Sequence, residues 1–299
     1  MYPAFVILEE QGPRDGFQSE VKPVPTELKV SIIERLVAAG LRRIQITAFV
    51  DPKAVPQMAD AEAVCAQVRR QPGVLYSALV LNTRGIERAV SAELSHVAVS
   101  ISASNTHSRQ NTKMPLTAAR AEFKEMVSLA KAAKLTVRGD ILSAFGCRFE
   151  GKVSEDLVVE LAGEHLALNV DELALADSTG MSNPAAIRRV LNRVVPMAGD
   201  VPVIMHLHDT EGKGMANLLT ALDCGVRLFD TAIAGLGGCP FIRGATGNIA
   251  TEDTALMLQQ MGIETGIDVD ALVAIARELD GFFGRTLPGK VKAVSELVL

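Results

Sequence analysis

The stretch ELALADSTGMSNPAAIRRVLNRVVPMAGDVPVIMHLH, residues 172–208, contains two strand-like runs separated by a helical segment. The runs at 172–177 and 201–208 are rich in apolar residues, and they begin about 30 residues apart, the length of one βα unit. Apolar strands alternating with helices are typical of parallel strands buried on both faces. The stretch therefore predicts part of a parallel α/β sheet.

The same unit recurs along the whole chain. Eight strand-like runs alternate with helical segments: FVILEE, RRIQIT, VLYSALV, HVAVSIS, LTVRGDI, ELALAD, VPVIMHLH and RLFDTAI. After the first run, apolar residues from Leu28 to Leu36 recur at helical spacing, and Gly40 is the expected end of that helix. Eight is the number of units that closes a (β/α)8 TIM barrel, which we predict. An open, doubly wound sheet is the alternative.

The chain shows no internal domain boundary. It contains neither a linker nor a low-complexity tract, and after the eighth strand a Gly-rich loop leads into two or three helical segments. We therefore expect residues 1–299 to form one domain, with the barrel at about 4–250 and a C-terminal helical cap at about 251–299.

Composition excludes several classes of protein. With 48% hydrophobic residues and a formal net charge of −5, the chain is globular and lacks the basic surplus that nucleic-acid binding needs. No apolar run reaches the roughly 18 residues of a membrane span, and the start MYPAFVILEE does not resemble a signal peptide. The four cysteines are widely spaced, as in a reducing compartment. We expect a cytoplasmic protein.

In a TIM barrel the chemistry lies at the carboxyl ends of the strands and in the loops that follow. Polar residues are found at these places along the chain. They are Arg14, Asp15 and Gln18 after the first strand, Gln45 and Thr47 at the end of the second, Asp177 at the end of the sixth, His206, His208 and Asp209 at the seventh, and Cys239 and Asn248 after the eighth.

His206 and His208 stand one residue apart in the run VIMHLHDTEG, residues 203–212. Side chains two positions apart on a strand point to the same face, so both imidazoles can face the mouth of the barrel. This arrangement suits metal chelation, and it equally suits two buried histidines held by hydrogen bonds. The pair alone leaves both interpretations open.

Asp15 and Asn248 would complete a ligand set of two imidazoles, one carboxylate and one amide oxygen. Such a set without thiolates suits octahedral Mg²⁺ or Mn²⁺ better than structural zinc, and imidazoles slightly favour Mn²⁺. Arg14 would add a fixed positive charge that stabilises an enolate or carboxylate oxygen. Alternatively, Asp15 is a turn residue in GPRDG and Arg14 forms a surface salt bridge.

Cys239 follows three glycines in the loop GLGGCP, residues 235–240. Such a backbone can approach a substrate closely and carry the thiol to it as a proton donor. A single cysteine is more often an inert small hydrophobic residue. The loop matches neither GxGxxG nor a P-loop and so predicts no phosphate site.

Five motifs together resemble the 3-hydroxy-3-methylglutaryl-CoA lyases, which are metallolyases built on TIM barrels. The resemblance covers nearly the whole chain. The motifs are GPRDGFQSE at 12–20, TAFVDPKAVPQMAD at 47–60, GCRFEGKVS at 146–154, HLHDTEG at 206–212 and AGLGGCPFIRGATGNIATED at 234–253. The last is the most specific, because its cysteine, its asparagine and its Thr-Glu-Asp ending stand in the order and spacing of the family.

The resemblance implies a reaction and a role for each matching residue. The reaction is a retro-Claisen cleavage of a 3-hydroxy-3-methylglutaryl-CoA-like 3-hydroxyacyl-CoA to acetyl-CoA and a keto acid, as in leucine degradation, with Mg²⁺ or Mn²⁺ as cofactor. The implied metal ligands are Asp15, His206, His208 and Asn248. The implied catalytic positions are Arg14, Gln45, Asp177, Cys239 and Glu252. The implied substrate-binding residues are Gln18, Thr47, Asn111, Asp140, Gly237 and Gly238.

Four positions depart from the family pattern. Gln45 stands where the family has a catalytic glutamate, and a glutamine can neither take up a proton nor neutralise Arg14. Asp140 stands in place of a tyrosine, and Ala48 and Ala174 each replace a serine. We expect all four to lie at or near strand ends, where substrate is read. The pattern predicts an altered substrate pocket around a retained metal site, with slow turnover of the family substrate.

Three other functions fit the same residues. One is a related lyase acting on citramalyl-CoA or a bulkier 3-hydroxy-3-alkylglutaryl-CoA. Another is a metal aldolase that does not use CoA, which the Cys239 loop disfavours. The third is a non-catalytic homologue. As partners we expect an acyl-CoA substrate and further copies of the same chain in a homodimer or larger homo-oligomer, and neither nucleic acid nor a membrane.

Overall fold

Eight parallel strands pair in sequence order and close into a barrel in the computed structural model, which describes residues 2–238 and 246–294. The strands are β1 (Ile7–Glu10), β2 (Arg43–Phe49), β3 (Leu75–Val80), β4 (His96–Ser102), β5 (Thr136–Leu142), β6 (Glu172–Asp177), β7 (Val203–Leu207) and β8 (Leu228–Thr231). Because β1 pairs with both β2 and β8, the barrel is closed. The predicted TIM barrel is confirmed, and the open sheet is wrong.

Helices surround the barrel and follow the strands. They are α1 (Thr26–Ala38), α2 (Ala61–Gln67), α3 (Thr83–Ser91), α4 (Asn105–Asn111), α5 (Leu116–Ala132), α6 (Glu155–Ala167), α7 (Pro184–Ala198), α8 (Gly214–Asp223), α9 (Thr251–Gln260) and α10 (Val269–Phe283). In the part of the chain that the structure describes, none of them has the length and apolar character of a bilayer-spanning helix.

The unit β6–α7–β7 shows how the sequence builds the fold locally. The Asn183 side chain accepts a hydrogen bond from the Ala186 N–H and caps α7, and Pro184 takes a position at the helix start where no N–H is needed. On α7, Ile187 and Leu191 are fully buried against the barrel. Gly199 ends the helix with a φ of +58°, which glycine adopts at little cost.

The helices after Thr251 pack on the barrel, as the predicted C-terminal helical cap does. The buried side of α10 includes Leu272, Ile275 and Leu279, and the helix contacts both α1 and α9. A short 3₁₀ turn, Val291–Ala293, follows against α9 and α10. The apolar residues of α10 are therefore buried against other parts of the same chain.

The inner face of the barrel carries more charged side chains than is expected for apolar strands that are buried on both faces. The Arg43 guanidinium donates to the carboxylates of Glu9, at 2.8 Å, and Glu172, at 2.6 and 2.7 Å. Glu172 also lies 3.1 Å from His96 Nε2. Buried charges are tolerated when they are paired and hydrogen-bonded, and here the pairing links four strands, β1, β2, β4 and β6. A small apolar cluster of Ala174, Ile204 and Leu228 is separate from the main core.

Candidate active site

The first element of the site is a wide helical turn that follows β1. Residues Gly12–Gly16, GPRDG, form a π-type turn in which the N–H groups of Arg14, Asp15 and Gly16 all donate to the Gln11 carbonyl oxygen. Arg14 is only 8% exposed, and its Nη1 donates to Asp15 Oδ1 at 2.7 Å. The alternative that Arg14 forms a surface salt bridge is therefore wrong. The turn instead directs two charged side chains into the barrel mouth.

The second element comes from β7. His206 lies near the end of the strand, and His208 follows it and bridges to Asn248 in the segment after β8. The two Nε2 atoms lie 3.1 Å apart, and His208 Nε2 lies 3.6 Å from Asp15 Oδ2. One ligand atom each from Asp15, His206 and His208 fall within 4.8 Å of one another. The structure therefore brings together three residues that can hold a metal ion.

A buried carboxylate fixes the orientation of His206. His206 Nδ1 lies 2.9 Å from Asp230 Oδ2, and Arg138 donates two hydrogen bonds to the same carboxylate, at 2.8 and 2.6 Å. Burial alone would raise the pKa of Asp230, but the Arg138 guanidinium and His206 hold it below its usual range. An ionised carboxylate can only accept, so Nδ1 carries the proton and the Nε2 lone pair faces His208.

Asn248 and Gly237 complete the surroundings of Asp15. Asn248 Nδ2 donates to Asp15 Oδ2 at 2.7 Å and to the Leu236 carbonyl oxygen at 3.1 Å. Among the described residues, its buried Oδ1 has no hydrogen-bond partner. Gly237 has a φ of +100°, and a Cβ there would lie 2.7 Å from Asp15 Oδ2. Only glycine leaves this space free, so the unpaired oxygen and the cradle both suit a bound cation.

Asp15 carries a negative charge in this setting. Burial would raise its pKa, but the Arg14 guanidinium and the His208 and His206 rings together hold the pKa well below the usual range of an aspartate. Gln18 Nε2 donates to Asp15 Oδ1 at 3.3 Å and helps to orient the carboxylate. An ionised, oriented carboxylate beside two imidazoles is the donor set that a hard divalent cation binds.

Arg14 is held by two carboxamides, one of which the sequence did not single out. Its Nε donates to Gln45 Oε1, and its Nη2 donates to Gln11 Oε1 at 3.0 Å. Gln45 does not end β2 as predicted, because the strand continues to Phe49 through an irregularity in its pairing with β3. Gln11 lies two positions after Glu9, whose side chain points into the barrel. Strand alternation could therefore have predicted that Gln11 also points inward.

Asp177 ends β6 as predicted. Its carboxylate accepts hydrogen bonds from the N–H groups of Met181, at 3.2 Å, and Ser182, at 3.0 Å. Burial raises the pKa of Asp177, and these backbone donors and the nearby His208 act against that rise. The carboxyl group is therefore held by the loop after β6, on the side of the mouth where His208 lies.

Asp140 and Ala174 lie side by side on the neighbouring strands β5 and β6. Asp140 accepts hydrogen bonds from Arg138 Nε at 2.7 Å and from Ser100 Oγ at 2.9 Å. It is thereby joined to the buried Arg138, which also binds Asp230. Ala174 pairs in register with Asp140 and with Ile204, in the middle of β6. Asp140 lies two residues before the end of β5, near the strand end as expected, whereas Ala174 lies in the middle of β6 rather than at its end.

The remaining predicted residues that the structure describes belong to β2, α4 and the segment after β8. Thr47 is buried in β2, and its Oγ1 lies 3.9 Å from Met58 Sδ. Asn111 is the exposed last residue of α4 and borders a small cavity of about 10 Å³ between β4 and α5. Gly238 is half-buried at the end of the described segment, and Cys239 lies outside the described residues. The structure therefore does not bring Asn111 to the residues around Asp15.

Glu252 supports the base of the loop after β8. Its Oε2 accepts from the Ala234 N–H at 3.0 Å, and the nearby Glu10 accepts from the N–H groups of Gly12 and Ile233. Burial raises the pKa of Glu252 to about 8, and the charges of Asp253 and Glu10 act in the same direction. Burial likewise raises the pKa of Glu10 to about 7.

Glu252→Gln is expected to flatten the dependence of folding stability on pH. The folded state keeps the Glu252 proton up to a pKa of about 8, whereas the usual pKa of a glutamate is 4.5, so wild-type stability falls as pH rises through this window. A glutamine accepts from Ala234 N–H and does not titrate. Urea unfolding at about pH 5 to about pH 9 measures the difference. An unchanged slope, equal to that of the exposed control Glu87→Gln, would contradict the expectation.

Comparison with known proteins identifies relatives over nearly the full chain. The HMGL-like family model matches residues 6–279. Hydroxymethylglutaryl-CoA lyase YngG of Bacillus subtilis is 38% identical over 289 residues, which cover 97% of each chain. The mouse protein named 3-hydroxy-3-methylglutaryl-CoA lyase, cytoplasmic, is 36% identical over 98% of this chain and 85% of its own.

Solved structures agree with the sequence relatives. The HMG-CoA lyase of Acinetobacter baumannii in complex with coenzyme A and 3-methylmalate has a TM-score of 0.94 and 38% identity, covering 98% of this chain and 96% of that one. The hydroxymethylglutaryl-CoA lyase of Pseudomonas aeruginosa has a TM-score of 0.93 and 36% identity, covering 98% and 97%. The resemblance to 3-hydroxy-3-methylglutaryl-CoA lyases is thus confirmed, and the chain belongs to the HMGL-like family.

Proposed function

We propose that the protein is a divalent-metal-dependent carbon–carbon lyase that cleaves a 3-hydroxy-3-methylglutaryl-CoA-like thioester to acetyl-CoA and a keto acid. The observation that carries the proposal is the convergence of Asp15, His206 and His208 beside the buried Arg14. Its relatives of similar length are named for this activity. Stabilisation of developing negative charge is usually the largest catalytic contribution, and this site joins a cation position with a guanidinium.

The donor set favours Mg²⁺ or Mn²⁺ as the cofactor. The proposed ligands are Asp15, His206, His208 and Asn248, the last through its unpaired Oδ1. His206 Nε2 and His208 Nε2 lie 3.1 Å apart, so both nitrogens could bind the same cation. When bound, the cation would polarise oxygen atoms of the substrate as a Lewis acid.

Different residues of the chain are proposed to assist different parts of the retro-Claisen cleavage. The substrate hydroxyl gives up its proton, the bond between C2 and C3 breaks, and the electron pair moves onto the thioester as an enolate. C3 becomes the keto carbon of the departing acid. Arg14 is proposed to stabilise the enolate oxygen, and Asp177, whose pKa burial raises, to handle the hydroxyl proton. Cys239 is proposed to protonate the enolate and so complete acetyl-CoA.

A panel assay tests the proposal. The purified protein is incubated with 3-hydroxyacyl-CoA thioesters and Mg²⁺ or Mn²⁺, and acetyl-CoA is measured with and without a chelator. Acetyl-CoA that appears with the cation and disappears with the chelator is the expected result. Absence of acetyl-CoA from every thioester would overturn the proposal. Release of pyruvate from a hydroxy acid without CoA would favour a metal aldolase instead.

Asp230→Asn is expected to weaken divalent-cation binding roughly tenfold to a hundredfold, because His206 loses the carboxylate that fixes its tautomer. An asparagine cannot accept both Arg138 hydrogen bonds and the His206 Nδ1–H, so the Nε2 lone pair is no longer held toward His208. Calorimetric titration with Mn²⁺ measures the affinity. The exposed control Asp223→Asn should bind as wild type does, and equal affinity in both variants would contradict the expectation.

Cellular location and assembly are further proposals. We propose a cytoplasmic location, which is also the location in the name of the mouse relative. We also propose a homodimer or larger homo-oligomer. Size-exclusion chromatography with light scattering distinguishes this from a monomer.

A further inference from the structure

The guanidinium of Arg14 fixes the orientation of two glutamine side chains. A guanidinium has only donors, so Gln45 and Gln11 must both present their Oε1 atoms to it, as they do in the structure. The oxygen and the nitrogen of a carboxamide point in different directions from the same carbon. Both NH₂ groups are therefore turned away from Arg14.

Neither of these NH₂ groups has a partner in the described part of the chain. Gln11 and Gln45 are both 0% exposed, and each Nε2 is buried without an acceptor. A buried donor without a partner costs free energy, and such atoms in a native protein call for an explanation. Two unpaired amide donors beside one guanidinium point to a ligand that supplies an oxygen.

The charges around Arg14 favour the same kind of ligand. Both carboxamides are neutral, so the carboxylate in direct contact with the guanidinium is that of Asp15, which is also a proposed metal ligand. A glutamate in place of Gln45 would add a second negative charge at this point. With glutamine there, the mouth accommodates more oxygen, including anionic oxygen, on the substrate.

We propose that Gln11 and Gln45 determine acyl specificity by donating hydrogen bonds to an oxygen that the acyl group carries in addition to those of 3-hydroxy-3-methylglutaryl. The preferred substrate class is a 3-hydroxyglutaryl thioester with a hydroxymethyl or carboxylate substituent in place of the methyl. This inference rests on the proposed function. A site that donates to a substrate oxygen rejects the analogue that lacks it, because its buried donors stay unpaired.

Matched thioesters test the inference. The wild-type protein with Mg²⁺ is assayed for acetyl-CoA release from 3-hydroxy-3-methylglutaryl-CoA and from its two analogues with a hydroxymethyl or carboxylate group in place of the methyl. The expected kcat/KM is at least about tenfold higher for one oxygen-bearing analogue than for the methyl compound. The two analogues distinguish a neutral from an anionic oxygen. This measurement needs no variant and therefore does not depend on a variant folding.

Gln45→Glu and Gln11→Glu provide the variants. Each keeps an oxygen for Arg14 and replaces the NH₂ donor with an acceptor of the same shape. Either change is expected to lower the ratio of kcat/KM between oxygen-bearing and methyl substrates by roughly tenfold or more. Gln45→Glu is also expected to raise cleavage of 3-hydroxy-3-methylglutaryl-CoA above wild type. Gln67→Glu, on the exposed side of α2, is the control and should leave the ratio unchanged.

The outcomes separate the inference from the proposed function. If the wild type cleaves the methyl compound at least as well as both analogues, the inference fails and the lyase activity stands. If both glutamate variants leave the ratio at the wild-type value, buried water satisfies the amides and the inference also fails. If no thioester yields acetyl-CoA, the proposed function itself fails.

Discussion

His208→Ala is expected to abolish tight cation binding and to lower thioester cleavage by roughly a thousandfold or more. The change removes one of three ligand atoms that lie within 4.8 Å of one another, and it leaves His206 Nε2 facing a void. A bound cation supplies several kcal/mol of transition-state stabilisation, and each 1.36 kcal/mol corresponds to a factor of ten in rate. Loss of the ligand should therefore remove the metal and the activity together.

Elemental analysis after dialysis against dilute Mn²⁺ measures the first effect, and acetyl-CoA release measures the second. The matched control is His107→Ala on α4, which lies outside the Asp15, His206 and His208 group and should retain both the cation and the activity. A His208→Ala protein that keeps one cation per chain would show that His208 is not a ligand. A protein that loses the cation and keeps its activity would contradict metal dependence.

The barrel could be predicted because its signal is repeated. Each of the eight strands coincides with an apolar run bounded by helical segments. The number of runs, eight, predicts that the sheet closes into a barrel, which no single run could predict. Strand ends were less predictable. The run RRIQIT suggested an end near Thr47, but β2 reaches Phe49, so Gln45 lies inside the barrel. Pairing with β3 extends the strand, and a local sequence pattern does not contain that pairing.

The metal cluster could be predicted in part, and its support could not. His206 and His208 share a face because of their spacing, and the barrel topology brings Asp15 to them from β1. The carboxylate behind His206 belongs to Asp230, which in the run RLFDTAI has the sequence context of an ordinary strand residue. Its role depends on Arg138 from β5 reaching across the interior, which is a tertiary contact between residues far apart in the chain.

The hydrogen bonding of Gln11 could not be predicted from the sequence either. The neighbouring Arg14 and Asp15 in GPRDG are residue types that suggest chemistry, whereas a glutamine after an apolar run does not. Only the structure reveals that its oxygen meets Arg14 Nη2 and that its nitrogen is buried without a partner in the described chain. Orientation of an amide is decided by what surrounds it, so composition and spacing carry no signal for it.

Arg14→Lys is expected to lower kcat by roughly a hundredfold to a thousandfold while cation binding persists. The planar guanidinium donates at once to Asp15, Gln11 and Gln45 through three different nitrogens. An ammonium keeps the charge but concentrates its donors at one point, so it cannot hold the same three oxygens and face an enolate. Losing one well-placed donor to a developing oxyanion costs about this much in rate.

Steady-state kinetics on the best thioester of the panel, together with Mn²⁺ titration, measures both halves of the expectation. The matched control is Arg84→Lys on the exposed side of α3, which should leave kcat at the wild-type value. A loss below about fivefold in Arg14→Lys would mean that charge alone suffices and that the planar fork is not required. Loss of the cation as well would place Arg14 in support of Asp15, since its Nη1 is the group that binds that carboxylate.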